Sequence, residues 1–241
     1  MSVPSPSPTV SVVIPVFNGA AFLAEAVACV RRQIQPPQQI IIVDDGSTDA
    51  TPQVARGLGA GIEYVSQKNS GPAAARNRGL ELARSDYIAF LDVDDVWPAA
   101  KFAVQLAGFA SQPAADIVIG PTQLLEEPGA EKTLRKSAPG ETFAPPLFYL
   151  IGAALFRRTV FARVGGFDAG KRYSEDLDWF IRARESGVAI YCQSNLGLIK
   201  RCHDRNMTRG KSIADLGIAA VLHASLVRRR QTDGLARPLH N

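Results

Sequence analysis

Tyr87-Ile88-Ala89-Phe90-Leu91-Asp92-Val93-Asp94-Asp95 runs from an apolar, strand-like stretch straight into a crowd of carboxylates. Acidic groups packed at a strand end repel one another and lose solvation, so a cation or strong hydrogen bonds must compensate them. A polar turn could do this locally, since Asp is common in turns. A divalent ion could also do it: hard oxygen ligands suit Mg²⁺ or Mn²⁺, which complete their shells with substrate phosphates and water. The second possibility points to a phosphorylated or nucleotide substrate. On an extended segment Asp92 and Asp94 point the same way, which would put Asp94 on the metal and Asp92 beside it.

Outward from this junction, the first half alternates β-type runs with helical patterns, which predicts βαβ units, an α/β fold and a mainly parallel sheet flanked by helices. Strands are expected at Val10–Val16, 40–43, 62–66, 87–91 and 116–119. Phe22, Leu23, Ala26, Val27 and Val30 share one face of a helix expected over 20–32. Thr48-Asp49 and Thr51-Pro52 read as the cap and first turn of a second helix, and Gly71-Pro72 opens a third over 73–83. Further helices are expected over 98–111 and 213–230. Residues 126–146, rich in Glu, Lys, Pro and Gly, predict a loop or short hairpin. Parallel strands deliver their C-terminal ends to one edge, so the segments after Val16, Val43 and Leu91 should gather in one crevice.

The polar residues bound for that crevice each have a chemical use. In Val43-Asp44-Asp45-Gly46-Ser47-Thr48-Asp49, an Asp can accept from the N3–H of uracil or from ribose hydroxyls, which assigns Asp45 to ligand and Asp49 to structure. Pro15 and Asn18 sit at the end of the first strand. Gly71 starts a helix where backbone can approach a phosphate or base closely, and Arg76 is the residue packing explains least. Glu175-Asp176 either satisfies a helix dipole or, set against Trp179 in a semi-enclosed pocket, supplies a general base. His203, in a stretch too polar for core, is either solvated or a metal or phosphate contact, with Arg205 or Arg209 adding charge.

Composition excludes several classes. Apolar residues are 46% and charged residues 21% of the 241, an ordinary globular balance. No apolar run approaches the roughly 20 residues that span a bilayer. The N-terminus lacks the basic and apolar regions of a signal peptide. Cys29, Cys192 and Cys202 form no metal-type spacing and no even set, which predicts a reducing cytoplasm. The net charge of +4 includes Arg228-Arg229-Arg230, either a solvated helix end or a peripheral contact with the inner face of a membrane. Nucleic-acid binding is not expected, for want of a basic footprint with aromatic platforms.

Taken in order, Ser11-Val-Val-Ile-Pro-Val-Phe-Asn18, Ile42-Val-Asp-Asp-Gly-Ser-Thr-Asp49, Gln67-Lys-Asn-Ser-Gly71 with Ala75-Arg-Asn-Arg-Gly79, Phe90-Leu-Asp-Val-Asp-Asp95, Gly165-Gly-Phe-Asp168 and Glu175-Asp176 resemble a family 2 glycosyltransferase of the GT-A, Rossmann-like fold. The resemblance implies inverting, metal-assisted transfer of a single sugar from a nucleoside diphosphate sugar, UDP-sugar foremost, to a hydroxyl of a glycan, lipid-linked, peptide or small-molecule acceptor. It implies Pro15, Asn18, Asp45, Gly71, Arg76 and Asp92 around the nucleotide, Asp94 and His203 on Mn²⁺ or Mg²⁺, Glu175 and Asp176 as the catalytic pair with Asp176 the base, and Trp179 on the acceptor side. Along the chain it implies a disordered lead at 1–8, a nucleotide-sugar half at 9–97, an acceptor-binding and catalytic half with a smaller acceptor-side subregion at 98–210, and a C-terminal helix and tail at 211–241. The Gln-x-x-Arg-Trp signature of processive synthases is absent, and residues 120–150 match no pattern.

Two other readings compete. A sugar nucleotidyltransferase should carry a Gly-rich, basic loop after its first strand, and Pro15-Val-Phe-Asn18 has none. A non-catalytic nucleotide-sugar-binding or partner subunit should have lost Asp94 or Asp176, and both are present.

Overall fold

A computed structural model describes residues 7–126, 142–143, 150–204, 206–212 and 214–235. Most of the expected lead and of the 126–146 loop, together with Arg205, lie outside the described residues. The first half follows the predicted alternation: β1 (Val10–Val16), α1 (Ala20–Arg31), β2 (Gln39–Asp44), α2 (Thr51–Gly57), β3 (Ile62–Ser66), α3 (Pro72–Leu82), β4 (Tyr87–Phe90) and α4 (Lys101–Ser111). Then come β5 (Ile117–Ile119), β6 (Thr122–Glu126), β7 (Thr142–Phe143), a 3₁₀ turn at Ile151–Ala153, β8 (Ala154–Arg157), α5 (Thr159–Val164), α6 (Glu175–Glu185), β9 (Ile190–Cys192), β10 (Leu198–Cys202) and α7 (Ile218–Leu235).

Seven strands form one sheet in the order β3-β2-β1-β4-β8-β5-β9, and β10-β6-β7 form a smaller one. All seven residues of β1 are buried, Ser11 included, as a mainly apolar strand covered on both faces requires. Gly79 lets α3 press onto β1, since a Cβ there would come within 2.2 Å of a Val13 methyl carbon. The sheet is parallel except for β8, which runs antiparallel to both β4 and β5. That insertion is not predicted from the sequence: Ala154-Leu155-Phe156-Arg157 is a short apolar run with no pattern of its own, and only its neighbours make it a central strand.

Helix boundaries shift for local reasons. Asp49 Oδ1 accepts from the Thr51 backbone N–H at 2.9 Å and shapes the turn before α2, but the expected side-chain cap is corrected: Ala50 holds the N-cap position and no side chain caps the helix. The α4 helix begins at Lys101, three residues after Pro98, whose carbonyl accepts from Lys101 N–H. Phe22 leaves the predicted core face of α1 and stacks on His203 at 5.0 Å. Among the described residues no helix is long and apolar enough to cross a membrane. In the basic C-terminal run, Arg228 donates to Glu185 at 2.6 Å rather than projecting into solvent.

Candidate active site

The loops after β1, β2 and β4 meet at the C-terminal edge of the sheet, as parallel strands dictate, and form one wall of a cleft of about 890 Å³. Residues 150–152, 169–176 and 198–208 contribute the opposite wall. Pro15, Asn18, Asp45, Gly71, Arg76, Asp92, Asp94, Glu175, Asp176 and His203 all line it. A second hollow of about 790 Å³, behind α6, contains none of them.

Asp45 organises the end of the cleft formed by β2 and the 67–71 loop. Its Oδ1 accepts from Gln67 Nε2 and Ser70 N–H at 2.7 and 2.9 Å, and its Oδ2 from Gly71 N–H at 2.8 Å. Three of the roughly four lone-pair directions of the carboxylate therefore hold the 67–71 loop, leaving one for a ligand. Gly46 adopts φ 78°, and a Cβ there would meet the Asn69 backbone nitrogen at 2.8 Å, so this loop needs a glycine. Asn18, itself at φ 52°, accepts from Thr48 N–H at 2.8 Å and ties β1 to the same turn.

Arg76 is the electrostatic centre. Its guanidinium is almost fully buried and donates to Asp92 at 2.7 Å and Glu175 at 2.5 Å. Packing alone does not place it; two carboxylates distant in sequence do. Burial would raise the Asp92 carboxyl, but Arg76, helped by Lys200, holds it below its ordinary value. Burial, and then the adjacent Glu175 charge, push Asp176 up to about 6 against the pull of Arg76. Asp95 is pushed up to about 7 by burial, opposed by Lys200 at 3.7 Å.

The expectation for Trp179 is corrected. Its side chain is fully buried, its Nε1–H donates to the Gly165 carbonyl at 2.9 Å, and it packs among Phe156, Phe161, Phe167 and Phe180. The inward face of α6 carries Glu175, Asp178, Trp179 and Ala183, so the indole sits in the core. The Asp176 shift therefore comes from burial and Glu175, not from an indole wall.

At the acidic turn, Asp94 Oδ2 lies 3.1 Å from His203 Nε2 and accepts from Asn206 Nδ2 at 3.0 Å. Among the described residues no group of three or more His, Cys, Asp and Glu side chains is arranged to hold a metal ion. One carboxylate with one imidazole does fit a Mn²⁺ or Mg²⁺ ion that takes most of its shell from phosphates and water. Asp92 is committed to Arg76, which leaves Asp94 as the carboxylate open to such an ion.

Sequence reasoning missed two organising residues. Asn77 donates from Nδ2 to Phe167 O and accepts at Oδ1 from Phe167 N–H, both at 2.7 Å, clamping the Gly-Gly-Phe-Asp loop. Asn206 links His203 and Asp94; its only signal was proximity to His203.

A Rossmann-like sheet with acidic turns converging on one cleft is the architecture of a nucleotide-sugar GT-A domain. Glycosyl transferase family 2 matches residues 11–177, and the chain belongs to that family. It is 29% identical over 213 residues to an uncharacterized glycosyltransferase of Rickettsia typhi, covering 84% of this chain and 66% of that protein. It is 43% identical over 99 residues to one of Rickettsia felis, 40% of this chain and 16% of that protein. Its fold matches S. aureus TarS 1–349 in complex with UDP-GlcNAc with a TM-score of 0.71 at 17% identity, over 91% of this chain and 66% of that one.

Proposed function

We propose that the protein transfers a single sugar, with inversion, from a UDP-sugar to a hydroxyl acceptor. The observation that carries this reading is the convergence of Asp45, Asp94 and Asp176 on one cleft, where burial pushes the Asp176 carboxyl up to about 6. A base with that poise is charged at neutral pH yet accepts a proton readily. Residues 9–97 furnish the donor half and 98–210 the acceptor half. The free acceptor capacity of Asp45 receives the base N3–H, with Pro15, Asn18 and Gly71 shaping the nucleoside end. Asp176 takes the acceptor's hydroxyl proton; the oxygen attacks the anomeric carbon on the face opposite the diphosphate; the bond to the diphosphate breaks. Asp94 and His203 would hold a divalent ion, which would supply positive charge to neutralise a departing diphosphate. The protein acts in the cytoplasm, on a glycan, lipid-linked, peptide or small-molecule acceptor.

Calorimetry tests the donor site. UDP is expected to bind with Mn²⁺ and to lose at least about tenfold in affinity in EDTA, and Asp94→Ala is expected to reproduce the EDTA value whether or not Mn²⁺ is added. Metal-dependent affinity surviving in Asp94→Ala would remove that ligand assignment, and equal binding of UDP, GDP, dTDP and CDP would remove the preference for UDP.

A further inference from the structure

Ser174 immediately precedes Glu175-Asp176 and holds φ at +58°, a left-handed conformation that an L residue keeps only when its surroundings over-determine it. Two contacts do so. The Ser174 carbonyl accepts from Asp178 N–H at 2.9 Å, starting α6, and the Ser174 hydroxyl donates to the Leu216 carbonyl at 2.9 Å. Leu216 sits in a turn folded on itself: Ser212 donates from its backbone and hydroxyl to Asp215 Oδ2 at 2.9 and 2.8 Å, and Leu216 N–H donates to the Ser212 carbonyl at 3.1 Å.

The same segment continues into α7, which docks on the far end of α6. Ser225 Oγ donates to Glu185 Oε1, and Arg228 Nε donates to Glu185 Oε2 at 2.6 Å. Burial would raise the Glu185 carboxyl, and these two donors hold it below its ordinary value, so the dock is a charged, hydrogen-bonded one. The helix whose first turn carries Asp176 is thus gripped at both ends by residues from Ser212 onward. Those residues lie beyond the family match, which ends at 177.

We infer that the C-terminal segment positions the reacting carboxylate: the Leu216 carbonyl fixes the start of α6 through Ser174 and the Ser225–Arg228 dock on Glu185 fixes its end, making Ser174 a positioning residue for Asp176. The inference rests on the reading of Asp176 as the base. Uncoupling the segment should therefore misplace the base without disturbing the donor end, whose contacts come from β1, β2, the 67–71 loop and the Asp94–His203 pair.

The test compares the wild type with Glu185→Gln/Ser225→Ala by hydrogen–deuterium exchange, beside UDP calorimetry and donor turnover. Neither substituted residue lines the cleft. Amides 174–178 are expected to exchange at least about tenfold faster, with β1 and β2 unchanged. Turnover is expected to fall by roughly 10- to 100-fold at UDP affinity within about twofold of wild type, a split that general destabilisation would not produce. Loosening of α7 with wild-type exchange at 174–178 would overturn the inference. Ser174→Gly supplies a second check: glycine adopts φ +58° freely but has no hydroxyl, so wild-type turnover and exchange in that variant would overturn the anchor too. Failure of the wild type to bind UDP would count against the donor reading, while the exchange data would still decide the coupling.

Discussion

Asp176→Asn is expected to lower turnover by about 10²- to 10⁴-fold while leaving UDP affinity unchanged. The substitution keeps the size of the side chain and removes only its ability to take a proton. The pH profile gives the sharper readout. Because burial and Glu175 raise the folded Asp176 carboxyl to about 6, it is charged above that pH and neutral below it. A base works only when charged, so wild-type kcat/KM should fall as pH drops through about 6, and this acid limb should vanish in Asp176→Asn. Glu175→Gln should move the limb to lower pH, since it removes a like charge and leaves Arg76 less shared. Steady-state UDP release across pH 5–8 is the measurement. Near-normal turnover in Asp176→Asn, or an acid limb that survives it, would show that another group takes the proton.

The sequence disclosed the parts of the fold encoded locally. The run Ile40-Ile41-Ile42-Val43 is continuous and apolar, and Val10–Val16 is nearly so, because both faces of a central parallel strand are covered. Asp49, bonding to a residue two positions on, was legible as a structural turn residue for the same reason. Relations between distant segments were not legible. Arg76 meets Glu175 across 99 positions, and Asn77 clamps Phe167 across 90. Nothing in their local context separates a buried ion-pair centre from a ligand contact. Trp179 failed for a related reason: the phase of α6 is set by which residues the core accepts, and the motif ending at Asp176 does not carry it. The cleft itself was foreseen because its location follows from strand direction alone.

Arg76→Met is expected to destabilise the fold by about 3–5 kcal/mol at neutral pH, because it leaves two carboxylates facing each other in a site built around a cation. The lower end is favoured, since about a third of the Asp92 side chain stays exposed and water screens part of the loss, whereas Glu175 has no such relief at 6% exposure. For a chain of this size, 3 kcal/mol corresponds to a fall in Tm of roughly 6–12 °C. The pH dependence distinguishes lost charge compensation from lost packing. In the wild type the folded Asp92 carboxyl is held below its unfolded value, so its contribution is present above the unfolded pKa of about 4 and is lost as pH falls through the folded one. Without Arg76, burial dominates and raises that carboxyl, so the folded variant holds a proton that the unfolded chain has released. Its stability then improves on acidification, and the Tm gap to wild type should narrow between pH 7.5 and pH 5. A cavity left by the guanidinium would give a gap independent of pH. Calorimetric scans of Arg76→Met and of Arg76→Met/Glu175→Gln at both pH values separate the two: the second substitution should recover stability if uncompensated charge is the cause, and the two losses should simply add if packing is.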